Sequence, residues 1–360
     1  MNMKLASSLV SGRTSHLMMV VCVGLAATVG GCQQNASRSG TKAASAGERE
    51  ALTPVSVSTL REKAIQIVEE TAKAEDPTLR ANAAEAASYS PTRLKPIIEK
   101  ALKDPNPGVR GVAATAVGMA KVGGVSGILR ELTSDPSAAV QVSAIYGILA
   151  NGGEIDRTPL GQILMEDPSA SVKRHAVDVL GMLGDGTAKP LLRSAAKERF
   201  AELSPAQMRL LHIQISAALV KLGENSERPV IIAALYPSQP EELEATVLAI
   251  QCIGGLKDSS AAAHLINLAD YKDRAGKKYP PEVRLAVAAA LAQLGMPEGS
   301  FVAEEYVHSS SPTVRSQVAF VYGETKGSRN GARLEQLLSD PDAQVRISAA
   351  AAVLKSLSRR

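Results

Sequence analysis

Residues 104–118 read DPNPGVRGVAATAVG, and the same pattern returns at 135–148 (DPSAAVQVSAIYGI), 167–181 (DPSASVKRHAVDVLG) and 340–354 (DPDAQVRISAAAAVL). Each copy opens on Asp-Pro, passes a few variable residues to a Val, and continues with small apolar residues at helical spacing. Looser copies begin at Asp76, Pro280 and Ser311, and two degenerate ones centre on Leu211 and Leu243. With the Val or Leu as marker the series is Leu79, Val109, Val140, Val172, Leu211, Leu243, Val283, Val314 and Val345, nine units at gaps of 30, 31, 32, 39, 32, 40, 31 and 31 residues. A period near 31 holds two helices and two turns, the size class of helical solenoid repeats.

Each marker opens an amphipathic helix. Positions 4, 7 and 8 after it are mostly small or apolar, as in Ala113, Ala116 and Val117 or Ala176, Val179 and Leu180, and that spacing makes one continuous face. Asp76, Asn106, Ser137, Ser169, Ser311 and Asp342 stand three residues before their markers, where a side-chain oxygen caps free N–H groups. Pro77, Pro107 and Pro312 fill the first helical position, where a missing N–H costs nothing. The first helix of each unit is less uniform; stretches 92–103, 124–133 and 330–339 fit, and 59–74 supplies the first, with Thr59 and Glu62 at capping-box spacing. Glycines 184, 223, 255 and 295 are expected to end second helices.

The DPxxxVRxxAAxAL pattern resembles the HEAT-like repeats, specifically the short variety named after phycobilisome lyases. The resemblance spans residues 55–358, strong around Val109, Val172, Val283, Val314 and Val345 and weak around Leu211 and Leu243. It implies an all-α, right-handed helical-repeat solenoid of about nine HEAT-like helix pairs, a superhelical rod with second helices lining its concave side. It also implies binding more often than catalysis.

Composition agrees with close helix packing: hydrophobic residues are 45% of the chain, aromatics only 3%, and Trp is absent. The first 31 residues read as a signal peptide, with Lys4 and Arg13 ahead of an uncharged apolar run from Leu17 to Gly31, about 15 residues where a bilayer span takes roughly 20. The run ends in Val29-Gly30-Gly31-Cys32, which resembles a bacterial lipobox and implies lipidation of Cys32. Residues 32–54 then form the lipidated Cys and a Ser-, Ala- and Gly-rich tether, and 55–360 the solenoid. The expected location is the cell envelope, as a lipid-anchored membrane protein with a soluble extracytoplasmic domain, and Gln33 after the cysteine favours the outer membrane. Loss of Lys4 and Arg13 leaves 38 basic against 36 acidic residues, so no net field recruits nucleic acid. Cys252 would be the one remaining free thiol, so no disulfide framework is available.

The sequence offers little for catalysis. His175, His212, His264 and His308 lie in four different units without metal-ligand spacing, and there is no GxxxxGK[ST], GxGxxG after a strand, GxSxG or CxxC. No metal, cofactor or enzymatic activity is expected. Two features suit a partner. The residue after each marker is basic in six units, namely Arg80, Arg110, Lys173, Arg284, Arg315 and Arg346. Stacked, these make a ladder that either pairs with acids such as Asp104, Asp167 and Asp340 or meets an anionic polymer. The second long gap carries an insertion, Tyr271 to Glu282, with Tyr271, Lys272, Arg274, Lys277, Lys278 and Tyr279, residue types common at interface hot spots. The first, around Ala195 to Pro205 with Phe200, reads as a lengthened helix. The expected function is a non-enzymatic envelope scaffold or assembly factor that binds another, unidentified protein. Its alternatives are anionic-polymer binding through the ladder and a subunit of an envelope enzyme.

Overall fold

The computed structural model describes residues 54–239, 242–273, 275–296, 299–325 and 330–358. Cys32, the apolar leader and most of the tether lie outside the described residues. The second helices are α2 (Pro77–Ala87), α4 (Pro107–Ala120), α6 (Ala138–Ala150), α8 (Ala170–Leu183), α10 (Pro205–Lys221), α12 (Leu243–Leu256), α14 (Pro281–Gln293), α16 (Pro312–Glu324) and α18 (Ala343–Ser358). The first helices are α1 (Pro54–Thr71), α3 (Pro91–Ala101), α5 (Ser126–Leu132), α7 (Thr158–Glu166), α9 (Lys189–Lys197), α11 (Arg228–Ala233), α13 (Ala262–Asp270), α15 (Gly299–Glu304) and α17 (Gly331–Leu337). The chain is an all-α solenoid of these pairs.

The helix starts follow from local chemistry, with two departures. Asp76 accepts the Thr78 N–H at 2.7 Å, Asn106 that of Gly108 at 2.8 Å, Ser311 that of Val314 at 3.5 Å and Asp342 that of Gln344 at 2.8 Å. Ser137 and Ser169 make no such bond. The Asp two residues earlier accepts the N–H of the Ser itself, Asp135 from Ser137 at 2.9 Å and Asp167 from Ser169 at 2.8 Å, as Asp104 and Asp340 also do for Asn106 and Asp342. Thr59 is inside α1, which begins at Pro54, so the Thr59/Glu62 spacing is not a capping box. Gly184, Gly223 and Gly295 take positive φ at helix ends as expected, whereas Gly255 stays helical and Lys257 takes the left-handed turn at φ 51°. The Ala195–Pro205 stretch is not a longer helix either. α9 stops at Lys197, a loop tucks Phe200 inside, and α10 restarts on a Ser204/Gln207 capping box.

The rod expected from the repeat pattern is closed on itself. α1 and α2 pack against α18 as each unit packs against the next, and one hydrophobic cluster runs from Ile347 and Leu354 through Leu60 and Ala83 to Val109. Across this seam Lys63 Nζ donates to Ser339 Oγ at 2.8 Å and Asn82 Nδ2 to Gln344 Oε1 at 3.0 Å. The nine units therefore form a ring, with the second helices as its continuous layer.

Small residues let neighbouring second helices approach. A Cβ on Gly147 would lie 2.8 Å from the Ala114 carbonyl oxygen, and one on Gly323 2.8 Å from the Ala352 Cβ. Such contacts forbid a larger side chain without backbone movement. The result is burial on nearly every side: from each marker to the eighth residue after it, Glu244 is the only exposed position on the second helices. An open concave groove lined by these helices is therefore absent among the described residues.

Candidate protein-docking surface

The basic ladder lies inside the packing. Arg80 grips Asp104 of the next unit with two bonds, at 2.7 and 2.8 Å, and donates to the Ala74 and Glu75 carbonyls of its own turn. Arg110 repeats this on Asp135 at 2.8 and 2.9 Å, and Arg315 on Asp340 at 2.8 Å twice. Arg284 holds Glu305 at 2.7 and 2.9 Å. Lys173 is fully buried, donates to the Leu164 and Met165 carbonyls, and sits 3.8 Å over the Phe200 ring. Bidentate charge-assisted pairing holds these carboxylates in their ionised form. The Arg80 bond keeps Asp104 below its ordinary range, the Arg315 bond does the same to Asp340, and the Arg284 bond lowers Glu305 to about 2.

Arg346 is the exception. It donates to the Asp340 and Pro341 carbonyls, both at 2.8 Å, but meets no carboxylate among the described residues. The acid of the following unit stands five residues before its marker, and around the closed ring that place is Ala74. The ladder thus ties consecutive units together, and the charges that an anionic polymer would need are engaged with the protein's own oxygens.

The second insertion folds as a small hairpin. Lys272 and Lys278 face each other in an antiparallel bridge, and Asp273 Oδ1 accepts the Ala275 and Lys277 N–H groups at 2.9 and 2.8 Å. Tyr271 and Tyr279 stack with ring centroids 4.6 Å apart. Tyr279 leans on the core and Tyr271 is exposed. Lys278 is engaged by Glu305 at 3.2 Å, while Lys272 and Lys277 point out without an ion pair among the described residues. Arg274 lies outside the described residues.

The hairpin stands in the middle of a larger feature. Among the described residues the exposed large hydrophobics are Val230 and Tyr236 at α11, Ile266 and Tyr271 at α13, and Phe301 on α15, the last 65% exposed. All five belong to three consecutive units. Tyr236 reaches the next unit, its hydroxyl bonded to His264 Nδ1 with the rings edge to face at 5.9 Å. Lys278 and Glu305 link the hairpin to the unit carrying Phe301. Sequence reasoning found the hairpin and missed the other members, because Val230, Ile266 and Phe301 fall in short first helices where apolar spacing reads as core.

Elsewhere a groove of about 510 Å³ runs beside α7 and α9, floored by Met165, Leu180, Leu183 and Leu191, with the Arg157–Asp185 ion pair at its edge. No histidine or carboxylate cluster converges there, and no group of three potential metal ligands occurs among the described residues. Cys252 is buried. A further polar column escaped the sequence reading. The third residue after the marker is polar in seven units: Asn82, Ser143, His175, Gln214, Thr246, Gln317 and Ser348. Four of them bond between neighbouring second helices: Asn82 with Gln344 at 3.0 Å, Ser143 Oγ with His175 Nε2 at 2.8 Å, and Gln214 with Asp178 at 2.6 Å. Desolvation lowers His175 to about 4 and raises Asp178 to about 6.

Residues 274–355 match the family model for HEAT repeats. The match begins in the hairpin and takes in α14 and the last two helix pairs. Two engineered proteins of known crystal structure are similar to the chain. One is 15% identical, with 84% of this chain and 95% of that one covered and a TM-score of 0.30; the other is 14% identical, with 82% and 96% covered and a TM-score of 0.20. No curated protein matches the sequence.

Proposed function

We propose that the chain is a non-enzymatic, lipid-anchored binding ring that docks another cell-envelope protein on the arc formed by α11, α13, α15 and the 271–280 hairpin. The observation that carries this reading is the confinement of every exposed large hydrophobic, among the described residues, to three adjacent units. Clustered apolar surface on an otherwise polar exterior marks interaction sites. Rigid, stacked tyrosines lose little entropy on binding and suit the centre of an interface, and free lysines suit its rim. HEAT repeats support a scaffold role in general terms. Attachment through Cys32 would hold the ring within tether reach of the membrane; an unstructured stretch of about 20 residues reaches on the order of 25 Å.

The test is site-specific photocrosslinking in native membranes, with the probe at Tyr271 and, as control, at exposed Thr92 on α3. A discrete adduct from position 271 that is absent from position 92 supports the arc. Equal labelling at both positions, or none at 271, overturns it.

A further inference from the structure

The ring has one junction that the covalent chain does not enforce, the seam of α1 and α2 with α18. It differs from its neighbours in two respects. Arg346 has no carboxylate to grip there, because Ala74 stands in the acid's place, so the bidentate clasp of Arg80, Arg110 and Arg315 is missing. The seam also carries buried ionisable groups. Lys355 of α18 is buried with Glu324 of α16 as its ion partner, and its ammonium lies 5.7 Å over the Tyr89 ring and 5.3 Å over that of Phe320. Glu85 of α2 is 5% exposed, and its Oε1 has no hydrogen-bond partner.

A buried carboxyl with an unpartnered oxygen is tolerated when neutral and expensive when ionised. Four helices pack on α2, namely α1, α3, α4 and α18, and the charge that acts on Glu85 from among them is Lys355. That ammonium is already committed to Glu324, so it supports a second carboxylate poorly. We propose that the ring opens at this seam and that Glu85 is its latch: neutral, it lets α2 rest on α18; ionised, it draws water in and parts them. Burial raises the carboxyl to about 7, so the switch falls in the neutral range. The sign is fixed by linkage. An acid raised in the closed state stabilises closure below its ordinary value and loses that contribution as pH climbs through the raised one. From 4.5 to about 7, the open-to-closed ratio changes by at most roughly 300-fold.

Hydrogen exchange of the full chain between pH 5 and 9, with each amide rate divided by its intrinsic rate at that pH, reads the seam directly. Amides of α2 and α18 should lose protection by up to roughly that factor as pH rises, while α12 and α14, which bury no carboxyl, hold theirs. Glu85→Gln should remove the pH response, and Glu85→Met provides a second, apolar replacement. Three results would overturn the proposal. The wild-type seam amides could keep their protection throughout, α12 and α14 could open in step with the seam, or the folded variants could retain the wild-type pH profile.

Discussion

Replacing Arg315 by Ala tests whether the ladder is structural. The guanidinium makes two bonds of 2.8 Å to Asp340 and a third, also 2.8 Å, to the Ser309 carbonyl. The partners are 13% and 9% exposed, so the pair stands between the surface case, worth about 0–1 kcal/mol, and the buried one, where removal of one partner costs about 3–5. Asp340 keeps the Asp342 N–H at 2.9 Å after the substitution, which limits the penalty. A loss of about 2 kcal/mol follows, concentrated in α16 to α18, because solenoid units open locally. Urea unfolding at pH 7 and hydrogen exchange of residues 312–358 measure it. The loss must also fade in acid. Arg315 holds Asp340 below its ordinary value, so the pair's contribution is complete above that value and disappears as pH falls through the depressed one. A cost under about 0.5 kcal/mol at pH 7, or one that survives unchanged at pH 2, would refute the account.

Four further outcomes are expected. Gly147→Val should destabilise by about 1–3 kcal/mol in thermal melts, since even a Cβ there lies 2.8 Å from the Ala114 carbonyl oxygen. His175 should titrate near 4 by the NMR shift of its ring proton. Its folded value is below the unfolded one, so stability falls as pH drops from about 6.5 toward 4, and His175→Asn should remove that slope. Tyr271→Ala with Lys277→Glu should leave the melting temperature within a few degrees of wild type yet abolish the crosslinked adduct, and an unchanged adduct would exclude the hairpin. Cys32→Ser should move the protein from washed membranes to the soluble fraction, and retention there would place the anchor elsewhere.

Much of the fold is legible in the repeat. The markers locate all nine second helices, and Asp76, Asn106, Ser311 and Asp342 cap as their positions require. The reading slipped at Ser137 and Ser169, which make no side-chain cap, and at Gly255, which stays helical while Lys257 takes the left-handed turn. The docking arc was half legible. The hairpin announced itself as extra length with tyrosines, but Tyr236 and Phe301 lie in ordinary repeat length, and their exposure depends on what packs beside them.

The sequence by itself determined the period, the helix starts, the column of basic residues and the nature of each unit, because these depend on neighbours within one or two turns. Only the tertiary structure decided that the ninth unit meets the first. Closure depends on the small angle by which each unit turns from the last, accumulated over the whole array, and no single repeat encodes that sum. It also decided the fate of the ladder. An Arg beside a marker is the same residue whether it faces solvent or an Asp about 25 residues on, and the packing of consecutive units brought the two together.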